Sequence, residues 1–257
     1  MAKIICVANQ KGGVGKTTTA VNLSASLAVA ERRVLLVDMD PQGNAGSGVG
    51  AERDSLEASV YDALINDVPA SSILVRTEIP YLHLLPSTSD LAGAELELIS
   101  VADREKKLKR ILASVEDAYD YIFIDCPPSL NLLTINALTA ANSVLIPLQC
   151  EFYAMEGLSQ ILKTIRLIQQ GLNRSLGIEG ILLTMFDARN NLSRQVSEEI
   201  RSHFPKETLA TVIPRNVRLS EAPSHGKPII LYDITSKGAT SYMDLAKELL
   251  AREVPRG

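Results

Sequence analysis

Tryptophan is absent from this chain of 257 residues, and aromatic residues make up only 4% of it. A stacking platform of the kind that grips unpaired bases has little to be built from. Cysteine is nearly as scarce. Cys6, Cys126 and Cys150 form no CxxC pair and no Cys/His cluster, which excludes a disulfide framework and gives zinc no ligand spacing. His83, His203 and His225 stand too far apart in sequence to suggest a local metal motif. Long apolar runs are also missing. The longest uncharged stretch, Cys126 to Cys150, is interrupted throughout by Pro, Ser, Asn and Gln and does not suit a bilayer span. Met1 to Ala8 carries no extended apolar region and no small-residue cleavage site, so a cytoplasmic protein without membrane attachment is expected. Nor is there an excess of positive charge. With 26 Lys and Arg against 30 Asp and Glu, the net charge is -4, which argues against a protein that coats nucleic acid through a generally basic surface. The 15 Gly and 12 Pro follow no fixed period, which excludes collagen-like and low-complexity classes.

What is present is a globular composition, with 46% hydrophobic and 22% charged residues. Apolar runs of strand length recur at Ile4 to Ala8, Val34 to Val37, Tyr121 to Ile124, Ser143 to Leu148 and Ile178 to Met185. They are rich in Val, Ile and Leu and alternate little, as strands buried on both faces do. Between them lie helical patterns over Lys16 to Ala30, Asp103 to Val115, Leu130 to Ala140, Met155 to Gln170, Leu192 to His203 and Ala239 to Arg252. This alternation predicts an α/β fold with a mostly parallel sheet flanked by helices on both faces. No Pro/Gly/Ser linker divides the chain, so residues 1–257 read as a single domain.

The strongest motif is Lys11-Gly12-Gly13-Val14-Gly15-Lys16-Thr17-Thr18, set between an apolar strand and an Ala/Leu-rich helix. The common phosphate-loop pattern GxxxxGK[ST] would have Gly where this chain has Gln10, so the match is to a variant, KGGxGK[ST], with an extra lysine at its head. Each position has a physical reason. Gly12, Gly13 and Gly15 let backbone N–H groups curl around phosphate oxygens without Cβ collisions, and the following helix aims its positive dipole end at the same anion. Lys16 suits a bridge between the β and γ phosphates, and Thr17 offers a hydroxyl to Mg²⁺. Lys11 is either a solvated surface charge or a second phosphate ligand.

Two further segments place acids just past buried strands. Val34-Leu-Leu-Val-Asp38-Met-Asp40 runs into a Gly/Asn-rich loop, and Tyr121-Ile-Phe-Ile-Asp125 runs into Cys126-Pro-Pro. Ligands of open α/β sheets bind outside the carboxyl ends of the strands, so these acids and the phosphate loop face one place. Asp125 suits holding Mg²⁺ through water, Asp38 assisting with the metal, and Asp40 orienting the attacking water. The alternative is that strand-end aspartates simply cap the next helix.

KGGVGKTT, VLLVDMDPQGN and FIDCPPS, in that order, resemble the deviant Walker A branch of the P-loop NTPase fold, and specifically the ParA/Soj partitioning ATPases. The likeness runs nearly end to end, through Gln149 to Gly157, Thr184 to Arg189 and Ile213 to Pro228. It implies ATP and Mg²⁺ as cofactors, ATP-dependent homodimerisation, slow hydrolysis, nonspecific binding of double-stranded DNA and nucleoid association, and stimulation by a ParB/Spo0J-type protein. Pro214 and Asn216 match family positions near the adenine, and Lys11 is expected to reach across a nucleotide-sandwich dimer. Because the loop begins at residue 11, an N-terminal helix-turn-helix and operator-specific repression are not expected. A MinD-like division-site ATPase is the closest rival. Its basic amphipathic membrane helix has no counterpart in Tyr242 to Gly257, which holds three bases and three acids. A nitrogenase-iron-protein-like reductase would need paired cysteines for an interfacial cluster, and Cys126 has no obvious mate in Cys6 or Cys150.

Charge is uneven along the chain. Residues 51–100 hold nine acids against Arg53 and Arg76, whereas residues 187–228 hold seven bases against five acids. A DNA face built around Arg189 and Arg218, with Arg194, Lys227 and Lys237 as further candidates, is expected there and is strengthened when two copies combine.

Overall fold

Successive residues of the central strands point into two different cores, and this explains why their sequences show no polar face. In β1 (Lys3–Val7) Ile4 and Cys6 pack on one side while Ile5 and Val7 pack on the other. In β5 (Tyr121–Asp125) Ile122 and Ile124 join the first core, Tyr121 and Phe123 the second. β2 (Val34–Asp38) divides Leu35 and Val37 from Val34 and Leu36 in the same way. A period of two in which both faces are buried demands apolar residues throughout.

The computed structural model describes residues 1–253. Its remaining strands are β3 (Val75–Arg76), β4 (Leu82–Leu85), β6 (Ser143–Gln149), β7 (Gly177–Phe186) and β8 (Thr208–Pro214). They form one sheet in the order β3-β4-β2-β5-β1-β6-β7-β8, parallel throughout except where β3 runs against β4. The mostly parallel α/β architecture read from the sequence is therefore correct. β3, β4 and β8 escape that reading because the first two are short and β8 lies half-buried at an edge.

Helix Lys16–Val29, which follows β1, lays Leu23 and Leu27 into the second core. Helices Leu132–Ala140 and Ala154–Gly171, which follow β5 and β6, lay Leu133, Leu138, Leu158 and Ile161 into the first. The connections thus change faces around β1, which opens a crevice at the carboxyl ends of the strands. The helix expected over Asp103 to Val115 is shorter than read: Asp103 adopts φ 53, a 3-10 turn spans Arg104–Lys106, and the α-helix proper is Lys107–Ala113. The left-handed residue turns the chain before regular helical bonding begins.

Helix Lys237–Glu253 packs Leu245 and Leu249 into the second core, and its fully buried Tyr242 shares a hydrogen bond of 3.2 Å with Thr19 of helix Lys16–Val29. This is an ordinary packed helix, as its balanced charge suggests; residues 254–257 of that segment lie outside the described residues. Among the described residues no helix is long and apolar enough to cross a membrane. All three cysteines are buried thiols, and Cys6 and Cys126, unrelated in sequence, meet with sulfurs 3.3 Å apart inside the first core.

Candidate functional site

The loop after β1 delivers the phosphate motif to the crevice. Gly13 (φ 73) and Gly15 (φ 86) are left-handed, a conformation that costs residues with a Cβ, and helix Lys16–Val29 begins directly after Gly15. Asn9 braces the loop from below. Its amide donates to the Pro147 carbonyl at 2.8 Å and its oxygen accepts from the Lys11 N–H at 3.0 Å. Thr184, at the end of β7, donates to the Val14 carbonyl at 2.9 Å in a buried contact. The next residue, Met185, has φ 51. A long side chain held in left-handed geometry is strained backbone at the edge of the site.

Gly12, Gly13, Gly15, Lys16, Thr17, Thr18 and Asp40 line one cavity of about 440 Å³. Lys16 is buried within it and donates to the Lys11 carbonyl at 3.1 Å. Burial pulls the pKa of this ammonium down, while Asp125, Cys126 and Asp40 act against the shift. Pro214 and Asn216 line an adjoining cavity of about 310 Å³, which shares Gly15, Thr18 and Met185 with the first. The Asn216 side-chain oxygen caps the helix Val217–Glu221 by accepting from the Leu219 N–H at 3.3 Å.

Asp38 and Asp125 are register partners at the ends of β2 and β5. Both are fully buried. Asp38 accepts from the N–H groups of Asp40 at 3.1 Å and Gly46 at 3.0 Å. Burial still outweighs those bonds and pushes its pKa up to about 6, with the Asp40 charge adding to the effect. Asp125 rises well above the ordinary carboxylate range, first through burial and then through the neighbouring Asp38 charge, with Thr17 and Lys16 opposing. Neither oxygen of Asp125 has a hydrogen bond of normal geometry, and the Thr17 hydroxyl only tempers its charge. A buried carboxylate so weakly bonded beside a second one is costly unless a cation joins them, and Thr17 adds a hydroxyl to the pair. The donor set therefore fits a hard, oxygen-seeking divalent ion that keeps much of its water shell. Among the described residues no group of three or more His, Cys, Asp or Glu side chains converges as a ready-made metal cage.

Lys11 stands apart from the other loop residues. Its ammonium turns away from the cavity toward Glu151, 3.2 Å distant, and the Glu151 carboxylate is held in turn by the Gln149 amide. Sequence reasoning missed Glu151, Asn9 and Thr184, because their partners are distant in the chain or in the backbone. Phe152 and Tyr153, which follow Glu151, are exposed and meet edge to face.

The predicted basic residues are less free than their sequence suggests. Arg189 makes two hydrogen bonds of 3.0 Å to the Asp187 carboxylate and draws its pKa down to about 2. Arg218 pairs with Glu221 at 2.9 Å and Asp233 at 3.4 Å. Arg194 bonds the Asn191 side chain, and Lys227 lines a separate cavity beside Thr17 and Asn44. Arg189 and Lys237 do meet in one groove; Arg218, Arg194 and Lys227 do not line it.

Comparison with known proteins adds names to this geometry. A family profile described as an AAA domain matches residues 2–178. The chain is 60% identical to the chromosome partitioning protein ParA of Myxococcus xanthus, covering 100% of this chain and 90% of that protein. It is 61% identical to the sporulation initiation inhibitor protein Soj of Bacillus subtilis, over 98% of this chain and 99% of the relative. Among solved structures, one titled cobyrinic acid a,c-diamide synthase from Mycobacterium smegmatis, with bound ATP analogue and magnesium, superposes with a TM-score of 0.86 at 43% identity. That match covers 98% of this chain and 96% of the other.

Proposed function

The chain belongs to the ParA/Soj family of partitioning ATPases, and from that premise we propose that it is an ATP-driven molecular switch for DNA segregation. In this reading it binds Mg-ATP, dimerises around the nucleotide, binds duplex DNA without sequence preference on the nucleoid, and hydrolyses ATP to ADP and phosphate under the influence of a ParB/Spo0J-type partner. The observation that carries the reading is the buried Asp125 beside Asp38, with no well-formed hydrogen bond to either oxygen and with Thr17 and Lys16 of the glycine loop as the groups that temper its charge. Such an arrangement is unstable by itself and is relieved by a cation and a polyphosphate together.

The roles follow from position. Gly12, Gly13, Val14 and Gly15 offer backbone donors to phosphate oxygens, with the helix end behind them. Lys16 supplies a point charge to the terminal phosphates. Thr17, Asp38 and Asp125 would hold magnesium, which when bound neutralises charge on the β and γ phosphates. Asp40, a buried residue of the cavity lining, would accept a hydrogen bond from the attacking water. The cavity at Pro214 and Asn216 takes the adenine, with the Asn216 amide group available as a donor once its oxygen caps the helix. Lys11, on the outer side of the loop, would leave Glu151 for the phosphates of a second copy and stabilise charge that develops in phosphoryl transfer.

The test is multiple-turnover phosphate release together with nucleotide binding. Lys16→Ala should weaken ATP binding by roughly a hundredfold, as loss of a charged contact worth about 3 kcal/mol does. Asp40→Ala should bind ATP normally while turnover falls by about 10²-fold or more, because water alignment matters in the transition state. Wild-type turnover by Asp40→Ala would remove it from the catalytic assignment.

A further inference from the structure

We propose that Cys6 and Cys126 form an oxidation site, at which a peroxide joins them in a disulfide that displaces Asp125 and weakens Mg-nucleotide binding. Neither thiol has a part in the roles assigned above.

The argument begins from where the two sulfurs are. Cys6 belongs to β1, which leads into the phosphate loop, and Cys126 directly follows Asp125 at the end of β5. The strands are parallel neighbours, with Cys6 opposite Ile124 and Val7 opposite Asp125. The two side chains therefore meet diagonally within the first core, with Sγ atoms 3.3 Å apart. Cys150 stands elsewhere, after β6, with Ser193 and Arg201 as its polar neighbours.

A disulfide holds its sulfurs about 2.05 Å apart, so the pair must close by about 1.2 Å. β1 is poorly placed to give way, because it is hydrogen-bonded between β5 and β6. The Cys126 side is freer. β5 ends at Asp125, and the Pro127 and Pro128 that follow Cys126 have no N–H to lose. Movement taken there carries with it the adjacent Asp125 carboxylate and Pro128, which lines the phosphate cavity.

One peroxide balances the reaction. The Cys126 sulfur attacks one peroxide oxygen, the O–O bond breaks, and the other oxygen leaves as water with the thiol proton. The Cys6 sulfur then attacks the sulfenic sulfur; the S–S bond forms, the S–O bond breaks, and a second water carries off the Cys6 proton. The peroxide gains two electrons and each sulfur loses one. Cys6 and Cys126 are 0% and 1% exposed, which shuts out bulky oxidants and leaves molecules of peroxide size. Lys16, close enough to act on Cys126, lines the phosphate cavity, which makes that cavity the entrance on the Cys126 side. The contact with Cys6 and burial both hold the Cys126 thiol protonated, so the reaction is slow and answers to sustained peroxide rather than to traces.

The experiment counts thiols in the full chain. Nucleotide-free protein is treated with excess hydrogen peroxide, quenched with catalase, unfolded, alkylated with iodoacetamide and mapped by mass spectrometry. Untreated protein should take three adducts and oxidised protein one, on Cys150, with the Cys6 and Cys126 peptides joined until dithiothreitol separates them. The oxidised protein should bind Mg-ADP about 10- to 100-fold more weakly, the range seen when support behind a metal ligand is lost, and dithiothreitol should restore it. Cys6→Ala should abolish both effects and Cys150→Ala neither, which separates the bond from peroxide damage elsewhere and from misfolding of one variant. Mg-ADP present during treatment should slow the oxidation. Three adducts after treatment, or sulfinic acid at Cys126 in place of the bond, would overturn the site. A disulfide that leaves Mg-ADP affinity unchanged would overturn the switch. Failure of the reduced protein to bind nucleotide would sink the function proposed above and the switch with it, while the thiol count would still decide the site.

Discussion

Asp38 shows how a single residue trades stability for a ligand site. Its carboxylate ends β2 in a fully buried position, and desolvation raises its pKa from 3.8 to about 6 despite two backbone donors. The folded chain therefore takes up this proton at a higher pH than the unfolded chain does. The cost of the charge is present in full above about pH 6, fades as pH falls through that value, and is gone below 3.8. Asp38→Asn should stabilise the nucleotide-free protein by about 1–2 kcal/mol near pH 7.5, the gain from removing the charge less one weakened hydrogen bond. Thermal melts should show the advantage shrinking by about pH 5; an advantage that is absent, or equal at both pH values, would contradict the electrostatic account. At this scale the sequence was informative where a motif fixes the backbone. Lys16, Thr17, Asp38, Asp40 and Asp125 stand at one crevice because loop and strand ends must converge in a parallel sheet. The orientation of Lys11 was not legible, since Glu151 lies 140 residues away. The pairing of Arg189 was within reach, because Asp187 is two positions earlier.

At the scale of elements, β7 joins otherwise separate parts of the site. Thr184 grips the phosphate loop at Val14 across 170 residues, Met185 lines both cavities, and Phe186 begins the basic groove. Thr184→Val keeps the shape but leaves the buried Val14 carbonyl without its donor, which should cost about 1–3 kcal/mol. The loss should appear as a lower melting temperature and weaker nucleotide binding together. Unchanged values of both would mean that the loop holds its form without β7. The sequence disclosed β7 as an apolar run but not this function, because a threonine in a buried strand carries no signal of its distant partner. β8 was invisible for a related reason: its mixed burial erases both the period of two and a continuous apolar run.

The whole molecule is organised so that one end of a sheet carries a nucleotide cradle, an outward-turned lysine and a groove of cations. The proposed dimer would unite them. Lys11 is tied to Glu151 by an ion pair with side chains 38% and 47% exposed, a contact that such exposure makes weak and exchangeable. Glu151→Gln should therefore let dimers form at about two- to fivefold lower protein concentration, a gain that fades at high salt. Weaker dimerisation by this variant would instead give Glu151 a role in the dimer itself. The central claim is that ATP, held but not yet hydrolysed, makes the dimer, and the most direct measurement is the mass of Asp40→Ala in solution by light scattering. With Mg-ATP it should be twice the 27.8 kDa of the chain, with ADP a single chain, and Lys11→Ala should remain a single chain in both. One mass for Asp40→Ala in ATP and ADP alike, or a normal ATP dimer from Lys11→Ala, would contradict the account.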